Sequence, residues 1–199
     1  MPKRKIARAE VRTKATDAHE QWIRGQLKKL NLRKFGKQLA AEMEKREDYS
    51  ASFFGHLIGK HIIEHMDLSP GNRKIAQKVS DAQQLATINM KRGISVANSR
   101  TLVEQTLLAL SNLKRTNAKR GVDVAPLTGI QKQLLAIRTD LKTNRLKKIN
   151  FEPDTVMMMT KLLGDYFGEI IGEKNLVFLN AANQQLLPVY LEIESQRKQ

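Results

Sequence analysis

The chain reads as an all-α protein of about eight helices, on three observations. Apolar residues recur at helical spacing through most of its 199 residues. Alternation of Val, Ile or Thr with polar residues is nearly absent, and no Asn-Gly or Asp-Gly hairpin turn occurs. Between the periodic stretches, one type of short break keeps returning. Helices joined by short turns pack antiparallel, so the expected architecture is an up-and-down bundle or a short helical solenoid.

Along the chain, residues 1–14 form a basic arm ahead of any periodic stretch. Residues 15–68 hold three helix candidates. Trp22, Ile23, Leu27 and Leu30 mark the first, and Phe35, Leu39 and Met43 the second. Phe53, Phe54, Leu57, Ile58, Ile62, Ile63 and Met66 mark the third, apolar over a wide arc. Leu68-Ser69-Pro70-Gly71 is the candidate hinge to a longer-helix bundle over 69–199; the alternative is one domain continuous with the N-terminal region. There Ile75, Val79, Ala82 and Leu85 or Ala86 lie on one stripe, and Val103, Leu107, Leu110 and Leu113 on another. The clearest stripe is Leu127, Ile130, Leu134, Ile137 and Leu141. Stretches 156–171 and 176–193 supply two more helices.

The recurring break is an apolar residue, then Asp, Asn or Ser, then another apolar residue, often after a Lys or Arg pair. It appears at Leu30-Asn31-Leu32, Met66-Asp67-Leu68, Ile94-Ser95-Val96, Val122-Asp123-Val124 and Ile149-Asn150-Phe151, and more weakly at Lys174 to Asn180. From Met66 onward these starts fall 27 or 28 residues apart, as in a tandem repeat or as convergent helix-to-helix turns. The basic pairs complement helix C-termini, Gly93 and Gly121 suit left-handed C-caps, and a nearby polar residue caps the next helix. The cap is Ser69 or Asn72, Asp123 or Thr128, and Asn150 or Asp154.

Composition excludes several functions. With no cysteine there is no disulfide framework, thiolate nucleophile or thiolate metal site. No apolar run reaches the roughly 20 residues that span a bilayer, and the first residues lack the apolar core of a secretory signal. A cytoplasmic or nucleoid-associated protein is expected. No phosphate-binding glycine loop and no nucleophile elbow occurs, so neither a cofactor nor an enzyme activity is expected. His61, Glu64 and His65 match a short zinc-protease pattern, but no further ligand stands out, and an amphipathic helix explains them better. Glu42, Glu44, Glu47 and Asp48 read as a solvated helix end, and Met157, Met158 and Met159 as core filler.

Gly164, Gly168 and Gly172 follow one another at four-residue steps, as do Gly55 and Gly59. Glycine inside a helix costs about 1 kcal/mol relative to Ala. The expected compensation is close helix packing, within the monomer or across a homo-oligomer interface.

Charge is the strongest functional signal. The formal net charge is +15, but it is segregated. Residues 1–35 carry +8, residues 71–125 carry +7 and residues 126–150 carry +5, whereas 36–70 and 151–199 carry −2 and −3. Segregated positive charge attracts polyanions through counterion release. The candidate contacts are Lys3, Arg4, Lys5, Arg8, Arg12 and Lys14 in the arm, then Lys114, Arg115, Lys119 and Arg120, then Arg138, Lys142, Arg145, Lys147 and Lys148. Few aromatics argue against base-stacking readers of single strands. A helix-turn-helix over 33–66 lacks the usual small-residue and turn-glycine spacing, and the 75–89 stretch starts like one but reads as a continuous helix. The expectation is a non-enzymatic nucleic-acid-binding protein, acting on duplex DNA rather than RNA, with an accessory role in replication, partition, packaging or transcription control. A helical scaffold for an acidic protein is the alternative.

Overall fold

A computed structural model describes residues 18–31, 35–37, 41 and 59–197, with side chains beyond residue 186 described only at 188, 191 and 195. The described residues are predominantly helical. Helix α1 covers 18–29 and α2 covers 59–64. Helix α3 is Pro70–Arg92, α4 is Val96–Lys119 and α5 is Ala125–Thr143. The last segment, α6, is Pro153–Arg197 and is broken at Gly172 by non-helical backbone (φ 71°, ψ 168°).

The helix ends follow local chemistry. Ser69 caps α3 by accepting from the Asn72 amide, and Ser95 caps α4 by accepting from the Asn98 amide. Asn31 ends α1 with φ 42°, the left-handed conformation that Asn tolerates. Asp123 accepts from the Ala125 amide, although Val124 holds the cap position of α5. Neither Asn150 nor Asp154 caps α6. The helix starts at Pro153, which fits a first turn because it has no amide to satisfy. The break-like stretch Lys174 to Asn180 is helical, and the actual interruption is Gly172.

One feature lay outside the all-helical expectation. Ile94–Ser95 (β1) and Lys148–Ile149 (β2) pair antiparallel, Ile94 opposite Ile149 and Ser95 opposite Lys148. Two of the recurring breaks are therefore each other's partners. Strands of two residues are too short to show any alternation in sequence.

The chain divides into two compact units, each gathered from separate stretches of sequence. One unit gathers the described residues before 50 with 64–67 and 173–197; the other holds 59–63 and 68–172. Within its own unit the limb after Gly172 is held by these contacts. Phe178 packs edge-on against Trp22, with ring centroids 5.7 Å apart. Asn175 is buried and makes both a donor and an acceptor bond to the Asp67 backbone, at 3.1 and 2.9 Å. Lys174 pairs with Asp67 at 2.6 Å and lies over the Trp22 ring.

The larger unit has one apolar core. Val79, Ala82 and Ala86 of α3 meet Leu102, Val103, Ala109 and Leu110 of α4, Leu134 and Leu141 of α5, and Val156, Met159 and Leu163 of α6. The predicted stripes supply Val79, Ala82, Ala86, Val103, Leu110, Leu134 and Leu141, while Leu102 and Ala109 lay on no predicted stripe; Leu127, Ile130 and Ile137 are half-buried at the edge. Of the three consecutive methionines only Met159 is buried; Met158 is half-buried and Met157 is exposed. Helices α4 and α5 run antiparallel: Lys114 bonds Gln131, Arg138 pairs with Glu104, and Arg100 bonds the Leu141 carbonyl.

Candidate nucleic-acid interface

The antiparallel course of α4 and α5 separates residues that looked like one basic block. Lys114, Arg115, Lys119 and Arg120 lie at the α4 C-terminus. Lys142, Arg145, Lys147 and Lys148 lie at the other end of the helix pair, beside Arg100. At 1.5 Å of rise per residue, Arg100 and Lys119 are about 28 Å apart along α4. The first group is partly engaged within the unit. Lys114 donates to Gln131 at 2.9 Å, Arg115 donates to Asn112 at 2.8 Å, and Arg120 faces Glu169 at 3.6 Å. Arg138 lies between the two groups and faces Glu104 at 3.7 Å. Such exposed, loosely spaced pairs stabilise by at most about 1 kcal/mol, but they do offset local positive charge.

The second group is the denser one, and the strand pair makes it so. Residue Lys148 sits opposite Ser95, so the loop after α5 is tied to the end of α3 and the start of α4. Lys91 and Arg92, exposed in the last turn of α3, therefore join Arg100, Lys142, Arg145, Lys147 and Lys148 at one pole. Asp140, Glu152 and Asp154 are the acidic residues of these segments. Arg100 also has a structural part. Its guanidinium donates to the carbonyls of Leu141 and Lys142, satisfying the free end of α5.

This pole rests on Asn89. The residue is 0% exposed. Its Nδ2 donates to the Ile149 carbonyl at 2.9 Å, and its Oδ1 accepts from the Phe151 amide at 3.0 Å. Gly93 lets the chains approach. With φ +68° it occupies the left-handed region, and a Cβ there would lie 2.9 Å from the Ile149 carbonyl oxygen. Gly121 also has positive φ (71°), but a Cβ there meets nothing within 4 Å among the described residues.

Sequence reading missed Lys91, Arg92 and Arg100 as members of the pole, and Asn89 as its support. A signal for Asn89 existed. The α3 stripe steps through 75, 79, 82 and 86, and its next step is 89, where a polar residue stands on the buried face.

Other expected sites are placed differently or lie outside the described residues. The arm residues Lys3, Arg4, Lys5, Arg8, Arg12 and Lys14, the acidic run 42–48, Gly55 and most of the 33–66 stretch lie outside them. The 75–89 stretch is continuous helix within α3, with no turn of a helix-turn-helix. Gly172 is a helix break, not a helix-interior contact. A Cβ at Gly164 would stand 3.6 Å from Gln83 Nε2, an ordinary contact, so close approach does not require glycine there. Gly168 is half-buried. His61 and His65 are half-buried and Glu64 is exposed. Among the described residues no three His, Asp or Glu side chains group as a metal site, and no helix is long and apolar enough to cross a membrane.

No family model, curated protein or solved structure matches the chain.

Proposed function

We propose that this is a non-enzymatic nucleic-acid-binding protein that grips the phosphates of a duplex, DNA in preference to RNA, with an accessory role in replication, partition, packaging or transcription control. The observation that carries the reading is the gathering of Lys91, Arg92, Arg100, Lys142, Arg145, Lys147 and Lys148 around the strand pair. Cations spread over three segments, 91–100, 142 and 145–148, form one pole, where a backbone phosphate could meet several at once. The arm residues Lys3 to Lys14 would add sequence-independent contacts. In this reading the four segments of the larger unit form an up-and-down antiparallel bundle whose pole is the contact end. Residues Lys114, Arg115, Lys119 and Arg120, at the opposite pole, contribute less.

Duplex binding measured against salt tests the reading. Affinity should fall steeply with salt. The double substitution Lys147→Ala with Lys148→Ala should flatten the log–log salt slope by up to about 2, since each phosphate contact contributes about 0.9. Lys119→Ala with Arg120→Ala should change it less. A protein that shifts neither duplex DNA nor RNA at low salt would remove the proposal and leave the scaffold for an acidic protein.

A further inference from the structure

Inside the basic pole stands a residue of the wrong chemistry for a phosphate contact. Leu146 is 64% exposed, flanked by Arg145 and by Lys147 and Lys148. An isolated exposed leucine needs no explanation on its own. The backbone that carries this one is tied down. Its amide donates to Asn144 Oδ1 at 2.8 Å, closing a turn over the loop tip. Two residues later the chain enters β2, pinned by Ile94 and by both polar atoms of Asn89. With the backbone tied before and after it, residue 146 stays at the loop tip, where its side chain is exposed.

We infer that Leu146 is an apolar wedge that inserts between base pairs from the minor groove and bends the duplex, with Arg145, Lys147 and Lys148 on the flanking phosphates. This rests on the nucleic-acid reading above and names its mode. An apolar side chain on a rigid mount among cations is the arrangement such insertion needs: charge holds the backbone while the wedge unstacks one step. The groove is about 6 Å wide, which admits a single side chain rather than a helix. A membrane surface would also attract these cations, but one leucine supplies little apolar area for it, whereas one wedge suffices for a base step.

The test uses the full chain and a short duplex carrying a donor and an acceptor dye at its ends. Wild-type protein should bring the ends together. Leu146→Ala should still bind at low salt, about tenfold or more weakly, and leave the duplex straight. Leu146→Phe should restore bending. Leu146 is exposed, so the melting temperature of each variant should match wild type and show that folding is intact. Wild-type binding without bending, or equal bending by Leu146→Ala, overturns the wedge and leaves the nucleic-acid reading standing. Absence of duplex binding by wild type overturns both. Binding to phosphatidylserine vesicles that Leu146→Ala abolishes, with duplex bending unchanged, reassigns the loop to membranes.

Discussion

Replacing Asn89 with Ala should be among the most damaging single changes in the larger unit. The side chain satisfies two backbone groups of the β2 connector, the Ile149 carbonyl and the Phe151 amide. Truncation leaves both without their partner. Each such group costs about 1–3 kcal/mol, so the expected loss is about 4 kcal/mol. In a chain of this length that corresponds to a Tm drop of about 8–16 °C. Asn89→Asp separates the hydrogen bonds from mere volume. It keeps an acceptor for the Phe151 amide but turns a carboxylate oxygen toward the Ile149 carbonyl. Burial and that repulsion would raise the new carboxyl's pKa above its ordinary value of about 3.9. A raised carboxyl favours the protonated fold, so its stability deficit grows as pH rises above that ordinary value and shrinks as pH falls back to it. Thermal melts at pH 4 and pH 7 should show Asn89→Asp below Asn89→Ala at pH 7, with the gap narrowing at pH 4. An Asn89→Ala protein that melts within about 2 °C of wild type would refute the reasoning, since even one unsatisfied buried group should exceed that.

Other expectations follow from the same geometry. Gly93→Ala should destabilise more than Gly121→Ala in urea titrations. Both have a positive φ that L residues rarely adopt, but only residue 93, at φ 68° and ψ 164°, also drives a Cβ onto the Ile149 carbonyl; equal losses would show that the close approach relaxes freely. Asn175→Ala should cost about 2–4 kcal/mol, because the side chain is buried and serves both the amide and the carbonyl of Asp67; a chemical melt unchanged by the substitution would discount that clamp. Burial pushes the Tyr166 hydroxyl above its ordinary 10.0, with Arg115 opposing and Glu169 reinforcing. The unfolded chain then ionises first, so stability holds below pH 10 and falls as pH rises through 10 toward the folded value. Tyr166→Phe should lose less stability than wild type between pH 9 and 11 in urea melts; parallel curves would rule the tyrosine out.

The recurring breaks carry a lesson about local patterns. Each resembles the others in sequence, yet the structure uses them for different ends. Ser69 and Ser95 cap helices, Ile94 and Ile149 pair as strands, and Asp67 and Asn175 clamp each other. A polar residue between two apolar ones marks a place where a helix can end, as near 30, 66, 94 and 122 but not at 174–180, and its flanks are not all buried, since Val122 is exposed. It does not specify the partner, because the partner is 55 residues away for Ile94 and 108 for Asp67.

By itself the sequence determined the helical class, the apolar stripes of the core helices, the breaks near residues 30, 66, 93 and 121, and the segregation of charge. These depend on periods of a few residues and on the conformational habits of Gly, Pro and Ser, all of which act locally. Tertiary structure decided what is distant in sequence. It divided the central basic block into opposite poles, because antiparallel helices send the ends of α4 and α5 apart. It brought Lys91 and Arg92 to Lys147 and Lys148 through a two-residue strand pair. It also joined the limb after Gly172 to Trp22 and Asp67, more than 100 residues away in sequence.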